Sequence, residues 1–387
     1  MPVATRFSDA VTWLTGQRGA MESFLERLVV QSSFTWNRRG VEAVANLAAG
    51  QLRTLALDVE VKASPRFGPH VLFSSKTAGA PVYLLGHTDT VRPPGQGQEG
   101  WRREGDRGVG PGAYDMKGGI AVMLFGLAAA KRAQLLERVP LRGMLLSDEE
   151  AGAPESQPLL RTHAAGAAAG LSFEPGRPGD LVVTTRNGGG SVDVVARGLP
   201  AHAANDPEKG RSAIWSLARF VDRAQALGDR TRGLYVNVGI VSGGTIRSTV
   251  PADARCELDV RFERADDGQA LLEALQAAAA EAAVPGTTLE LHPISWREPL
   301  SRTPASGALA KAYGECQREC GLGMGEAPLL GGASAANTLG ALGIPVIDGL
   351  GARGRGFESE REESVDLGSL VPKALALLRF LAQRAAA

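Results

Sequence analysis

The sequence predicts an α/β protein: a mixed, mostly parallel sheet flanked by helices, interrupted by an inserted ferredoxin-like βαββαβ module. Three observations predict it. Short apolar runs at Val82–Leu85, Leu141–Leu146 and Gly170–Phe173 end at a glycine, at a serine that opens an acidic run, and at an acid, and read as strands buried on both faces of a parallel sheet. Helical periodicity surrounds them. From about Arg186 the texture changes, and Val192, Val194 and Ala196 alternate with mostly polar neighbours, the pattern of a half-exposed antiparallel strand. The first texture returns near Leu300, so residues 1–185 and 299–387 are expected to form one domain and 186–298 an insert.

Taken in order, Glu22–Val30 and Arg39–Leu52 read as helices, and Leu55–Val61 and Val71–Ser74 as strands. The strand Pro81–Leu85 delivers Gly86-His87-Thr88-Asp89, and Pro93 to Arg107 reads as a loop. A glycine-rich turn, Gly110 to Gly119, precedes an alanine- and leucine-containing helix over Ile120–Arg132. In the insert, strands at Ser191–Ala196, Leu234–Val241, Ala254–Phe262 and Thr288–His292 alternate with helices at Arg211–Leu227 and Gln269–Ala283. Beyond it come a helix at Ala305–Cys320, a Ser334-capped helix at Ala335–Leu342, a strand at Pro345–Ile347 and a final helix at Leu367–Ala386.

Composition narrows the function classes. With 42 basic and 42 acidic residues the chain carries no net charge, so no nucleic-acid partner is expected and a small molecule is the natural ligand. The three cysteines are too few for a disulfide framework, and Cys316 and Cys320 read as ordinary helix residues. No signal peptide and no membrane-spanning stretch is evident, which makes the cytoplasm the expected compartment.

Chemistry-bearing residues gather at the strand ends. His87 leaves the carboxyl end of its strand, where open α/β sheets bind ligands, and Asp89 is placed to hold its imidazole in one tautomer. Asp115 precedes a helix and reads either as an N-cap or as a carboxylate bridging two cations. Asp148, Glu149 and Glu150 repel one another unless cations or donors face them, the alternative being a solvated acidic turn. Glu174 closes the next strand. Together, His87, Asp115, Glu149, Glu150 and Glu174 supply what a pair of divalent cations requires, with one carboxylate left to take a proton from water.

These segments resemble the di-zinc peptidases and amidohydrolases that include bacterial glutamate carboxypeptidase, the aminoacylases, acetylornithine deacetylase and succinyl-diaminopimelate desuccinylase. The resemblance rests on Gly86–Val91, Gly110–Gly119, Ser147–Gly152, Leu171–Pro175, Gly198–Ala203 and the Pro251–Arg261 strand, and is greatest to the glutamate carboxypeptidase branch. It implies that His87 and Glu174 serve one metal, that Asp115 bridges to a second held by Glu150, and that Glu149 is the general base. It further implies that His202 reaches a neighbouring active site across a homodimer interface formed by the insert, which doubles as a lid. Arg261 would bind a substrate carboxylate, and Ser248 stands where an asparagine lines the pocket. The substrate implied is an N-acyl amino acid or dipeptide-like molecule cleaved at an amide bond beside a free carboxylate.

The sequence departs from the family pattern at the second metal. The late histidine ligand is replaced by Glu358, and no histidine follows His292. A carboxylate there favours a harder cation, so zinc is the first expectation for the cofactor, with manganese, magnesium or cobalt at the Glu358 position. Ala335, where the family commonly has an aspartate, and Ser248 are further departures, whereas Met116 is a common variant. They leave a second expectation open, a binder or an enzyme of different chemistry on the same scaffold.

Overall fold

The computed structural model describes residues 3–95, 99–356 and 362–386. The chain divides into two compact units, one comprising residues 1–185, 301–329 and 334–387 and the other 186–300 and 330–333.

The first unit is built on a six-stranded sheet in the order Asp58–Lys62, His70–Ser74, Leu141–Leu146, Val82–His87, Ala169–Ser172, Val346–Ile347. The first two pairings are antiparallel and the other three parallel. Every residue of the central Val82–His87 strand is buried, because helices cover both faces of the sheet there. At the edge, Asp58–Lys62 alternates between exposed and half-buried positions. Parallel pairing brings the carboxyl ends of Val82–His87, Leu141–Leu146 and Ala169–Ser172 to one margin, so His87, Ser147 to Glu150 and Glu174 emerge side by side.

The helix Gly118–Arg132 is apolar on nearly all sides and packs against the C-terminal helix Leu370–Ala386 and the N-terminal helix Val3–Thr15. Contrary to the expectation from sequence, the segment Ala113–Arg132 is long and apolar enough to cross a membrane, yet 89% of its most apolar stretch is buried inside the fold. A helix covered on every side has no need of a polar face.

Among the differences from the sequence reading are one added helix and one corrected loop. The N-terminal segment forms a helix before Arg18–Val29, and the loop expected from Pro93 to Arg107 contains the strand Arg102–Glu104. That strand pairs with Arg107–Val109, which pairs in turn with Ser364–Asp366 and through it with Gly354–Arg355. The first two strands form a tight local hairpin of mostly charged residues, and the third partner lies some 250 residues later, so no apolar pattern marks them as strands.

The second unit carries a four-stranded antiparallel sheet in the order Thr288–Arg297, Gly188–Arg197, Asp253–Phe262, Tyr235–Gly243, with helices Ala213–Ala226 and Ala265–Ala282 on one face. This is the ferredoxin-like βαββαβ order. Val192, Val194 and Ala196 point to its core, as their alternation predicts.

Candidate metal centre

His87, Asp115 and Glu174 each offer a ligand atom, and these atoms all lie within 4.8 Å of one another. The imidazole Nε2 stands 3.2 Å from Oδ1 of Asp115 and 3.7 Å from Oε1 of Glu174. His87 is buried, and its Nδ1 meets the main-chain oxygen of Asp89 at 3.0 Å, closer than the Asp89 carboxylate at 3.5 Å. The tautomer expected to be held by the Asp89 side chain is therefore set chiefly by its backbone carbonyl. A side chain two residues along an extended strand starts on the same face, but here it turns away to better donors.

Those donors are the N–H groups of Glu149 and Glu150, at 3.2 and 3.1 Å, and the Thr35 hydroxyl at 2.9 Å. Asp89 thus ties the end of its own strand to the acidic turn after Leu146. Asp148 holds that turn from within: it accepts the N–H of Glu155 at 2.8 Å and of Ser156 at 3.0 Å, and the Ser156 hydroxyl. Glu149 is 8% exposed and Asp148 fully buried, so the acidic run is no solvated turn.

Asp115 does not cap the following helix, which has no side-chain cap and begins after Lys117. Its φ of −114° and ψ of 97° are extended, and its Oδ1 is buried with no donor among the described residues nearer than His87 Nε2 at 3.2 Å. Oε1 of Glu150 is buried with no hydrogen-bond donor among the described residues. A buried, ionised carboxylate oxygen left in that condition costs several kcal/mol, on the order of 3 or more, unless a cation completes it. This donor set of one imidazole and several carboxylates suits divalent cations.

The electrostatics agree. Burial raises the Glu150 carboxyl well above its usual range, with the Asp115 charge adding to it, and burial raises Glu174 to about 7. For His87 burial works downward, but Glu174, Asp115 and Asp89 outweigh it and hold the imidazolium well above its ordinary value. Without a cation, the cluster keeps protons to limit its own repulsion.

Sequence reasoning missed Glu363. Its carboxylate is 3% exposed and accepts the N–H of Gly112 at 2.7 Å and those of Tyr114 and Asp115 at 2.8 Å. Burial pushes it up to about 7 against the pull of these donors. It stands in an acid-rich stretch that reads as a loop, and its partners are some 250 residues earlier, so only the tertiary structure reveals it. Glu358, the expected second-metal ligand, lies outside the described residues.

The remaining expected residues belong to the second unit. His202 is exposed, its Nδ1 accepting the N–H groups of Ala204 and Asn205 at 3.2 and 3.1 Å. The exposed Ser248 accepts the Ala203 N–H through its carbonyl at 2.9 Å. Arg261, expected to be an open two-point donor, is engaged with Asp259 through Nε at 2.9 Å and Nη2 at 2.8 Å. Residues two apart on a strand share a face, which brings the two side chains together.

The model of Peptidase family M20/M25/M40 matches residues 83–383. The chain belongs to this family. It is an M20 metallo-hydrolase of C–N bonds. It is 29% identical over 366 residues to carboxypeptidase G2 of Pseudomonas sp. (strain RS-16), covering 93% of this chain and 88% of that protein. Over 200 residues it is 30% identical to acetylornithine deacetylase of Myxococcus xanthus, a match that spans 48% of this chain and 51% of that protein. Among solved structures, an M20 family metallo-carboxypeptidase from Sulfolobus solfataricus, Sso-CP2, superposes with a TM-score of 0.78 at 17% identity, covering 95% of this chain and 99% of the other. The dipeptidase Dug1p of Saccharomyces cerevisiae gives 0.77 at 13% identity, with 98% and 99% coverage. Likeness to these two structures extends through both units.

Proposed function

We propose that this M20 hydrolase cleaves the amide bond next to a free carboxylate in an N-acyl amino acid or dipeptide-like substrate. The observation that carries the reading is the convergence of His87, Asp115 and Glu174 beside Glu149 and the unpaired oxygen of Glu150, in a chain related to carboxypeptidase G2 over most of its length. His87 and Glu174 would hold one divalent cation, Asp115 would bridge, and Glu150 would serve a second, with zinc expected first. A cation bound there supplies Lewis-acid polarisation of the scissile carbonyl and makes water more acidic. Glu149 would accept a proton from the attacking water and pass it to the leaving nitrogen, as a buried carboxylate beside the ligands can. His202 donates a hydrogen bond to the carbonyl oxygen from a neighbouring protomer, and Arg261 exchanges Asp259 for the substrate carboxylate.

The second unit would then be a lid and the contact surface of a homodimer. Its edge strand Tyr235–Gly243 supports this: it carries no charged residue or proline, and Ile240 and Val241 are 52% and 60% exposed. Edge strands of proteins that remain alone are normally guarded by such residues. The cytoplasm is the proposed compartment.

The test is to load the protein with zinc, manganese or cobalt and assay a panel of N-acyl amino acids. Turnover that disappears in Glu149→Ala is expected. No turnover with any metal, or turnover unaffected by Glu149→Ala, overturns the reading. The replacement of the late histidine by Glu358 favours a second reading, a scaffold retained for binding or other chemistry, which the absence of turnover with metal bound would support.

A further inference from the structure

The turn that carries Asp115 is poor at holding its own shape. Gly110, Gly112, Gly118 and Gly119 leave its backbone free, and Gly112 adopts a φ of 74°, which L side chains rarely take. The N–H groups of Gly112, Tyr114 and Asp115 stand at the start of a helical run, where no earlier turn of helix supplies acceptors. All three converge on the carboxylate of Glu363, and the main-chain oxygen of the same residue accepts the N–H of Gly110 at 3.1 Å. Glu363 is itself fixed by the neighbouring strand Ser364–Asp366, whose ladder to Arg107–Val109 leads into the turn. The buried Lys117 donates to Gln31 O at 2.9 Å and to Pro111 O at 3.3 Å, a further tie on the turn's main chain.

With Asp115's N–H tied to Glu363, its side chain is left to project towards His87. Both Glu363 oxygens are taken by the backbone, so its lone pairs face the turn. We propose that Glu363 is a positioning residue, which aims the Asp115 carboxylate at the cation site by clamping the Gly110–Asp115 backbone. The inference rests on the metal-hydrolase reading and adds to it the device that keeps the bridging carboxylate in place. Neighbouring buried networks, such as Asp148 with Ser156, act on a different turn.

The experiment compares wild type, Glu363→Ala and the near-isosteric Glu363→Gln, the latter covering the case in which the alanine variant fails to fold. Backbone hydrogen exchange over residues 110–117 of the metal-free proteins reports the clamp. Cobalt uptake per chain and the visible spectrum of the cobalt-loaded proteins report the ligand geometry. Exchange of the Gly112, Tyr114 and Asp115 amides is expected to rise at least about tenfold in the variants, with a changed cobalt spectrum and weaker uptake. Unchanged exchange, or faster exchange with cobalt spectrum and uptake like wild type, overturns the proposal. Wild type that takes up no cobalt overturns instead the metal reading on which it rests.

Discussion

The carboxylate of Asp89 accepts the backbone N–H of Glu149 at 3.2 Å, so the strand end that delivers His87 also fixes the main chain of the proposed general base. The anchor is made to the backbone, so the Glu149 side chain can be changed without releasing the turn. Glu149→Gln is therefore expected to lower kcat about 100- to 10,000-fold while leaving bound metal per chain and the unfolding midpoint close to wild type. Steady-state kinetics together with elemental analysis check this, and a kcat within about twofold of wild type would remove Glu149 from the chemistry.

Metal uptake should be coupled to protons. Glu150 and His87 titrate well above their ordinary values in the metal-free protein, and Glu174 at about 7, so near neutrality the cluster holds protons that a cation must displace. Affinity is expected to fall as pH drops below about 7 and to rise above it. Calorimetric titration in buffers of different ionisation enthalpy should register proton release, and an affinity independent of pH would contradict the protonated cluster.

Asp180 takes Arg353 in a two-point pair at 2.8 Å from each nitrogen and Lys373 at 3.3 Å. Burial alone would raise this carboxyl, but Arg353 and Lys373 bring it down from 3.8 to about 2. A depressed carboxylate contributes stability that is present above its unfolded value and lost as pH falls through the folded one. Asp180→Asn suits the left-handed φ of 57° at this position, and it should cost about 2 kcal/mol at neutral pH. In urea titrations the gap from wild type should close as pH falls from 3.8 towards about 2. A gap that stays constant over that range would assign the loss to packing.

Arg261 and Asp259 are 35% and 44% exposed, and such solvent-screened pairs are worth no more than about 1 kcal/mol. A substrate carboxylate can displace Asp259, though against competition. Asp259→Asn is expected to lower KM for substrates with a free carboxylate by up to about fivefold, with no effect on their amide or ester analogues. An equal change in both substrate sets would count against Arg261 as the carboxylate donor.

Much of the site was legible because strand ends announce themselves. An apolar run that stops at Gly86-His87, at Ser147 with its three acids, or at Glu174 tells where a parallel strand ends, and parallel pairing leaves those ends few places to go but one margin. Asp115 was legible in its glycine-rich setting, but not in its direction, since an N-cap and a bridging ligand have the same local sequence.

By itself, the sequence determined the strands and helices of the main sheet and of the ferredoxin-like insert, and the residue types available at the sheet margin, because periodicity and chain breaks are local properties. Only the tertiary structure decided which atoms do each job. It turned the Asp89 carboxylate to Thr35 and the acidic turn, closed Arg261 on Asp259, and brought Glu363 to the backbone of Gly112, Tyr114 and Asp115. The physical reason is that a buried hydrogen-bonding group takes whichever partner the packed chain brings within about 3 Å, and that partner can lie hundreds of residues away without leaving a mark on the local pattern.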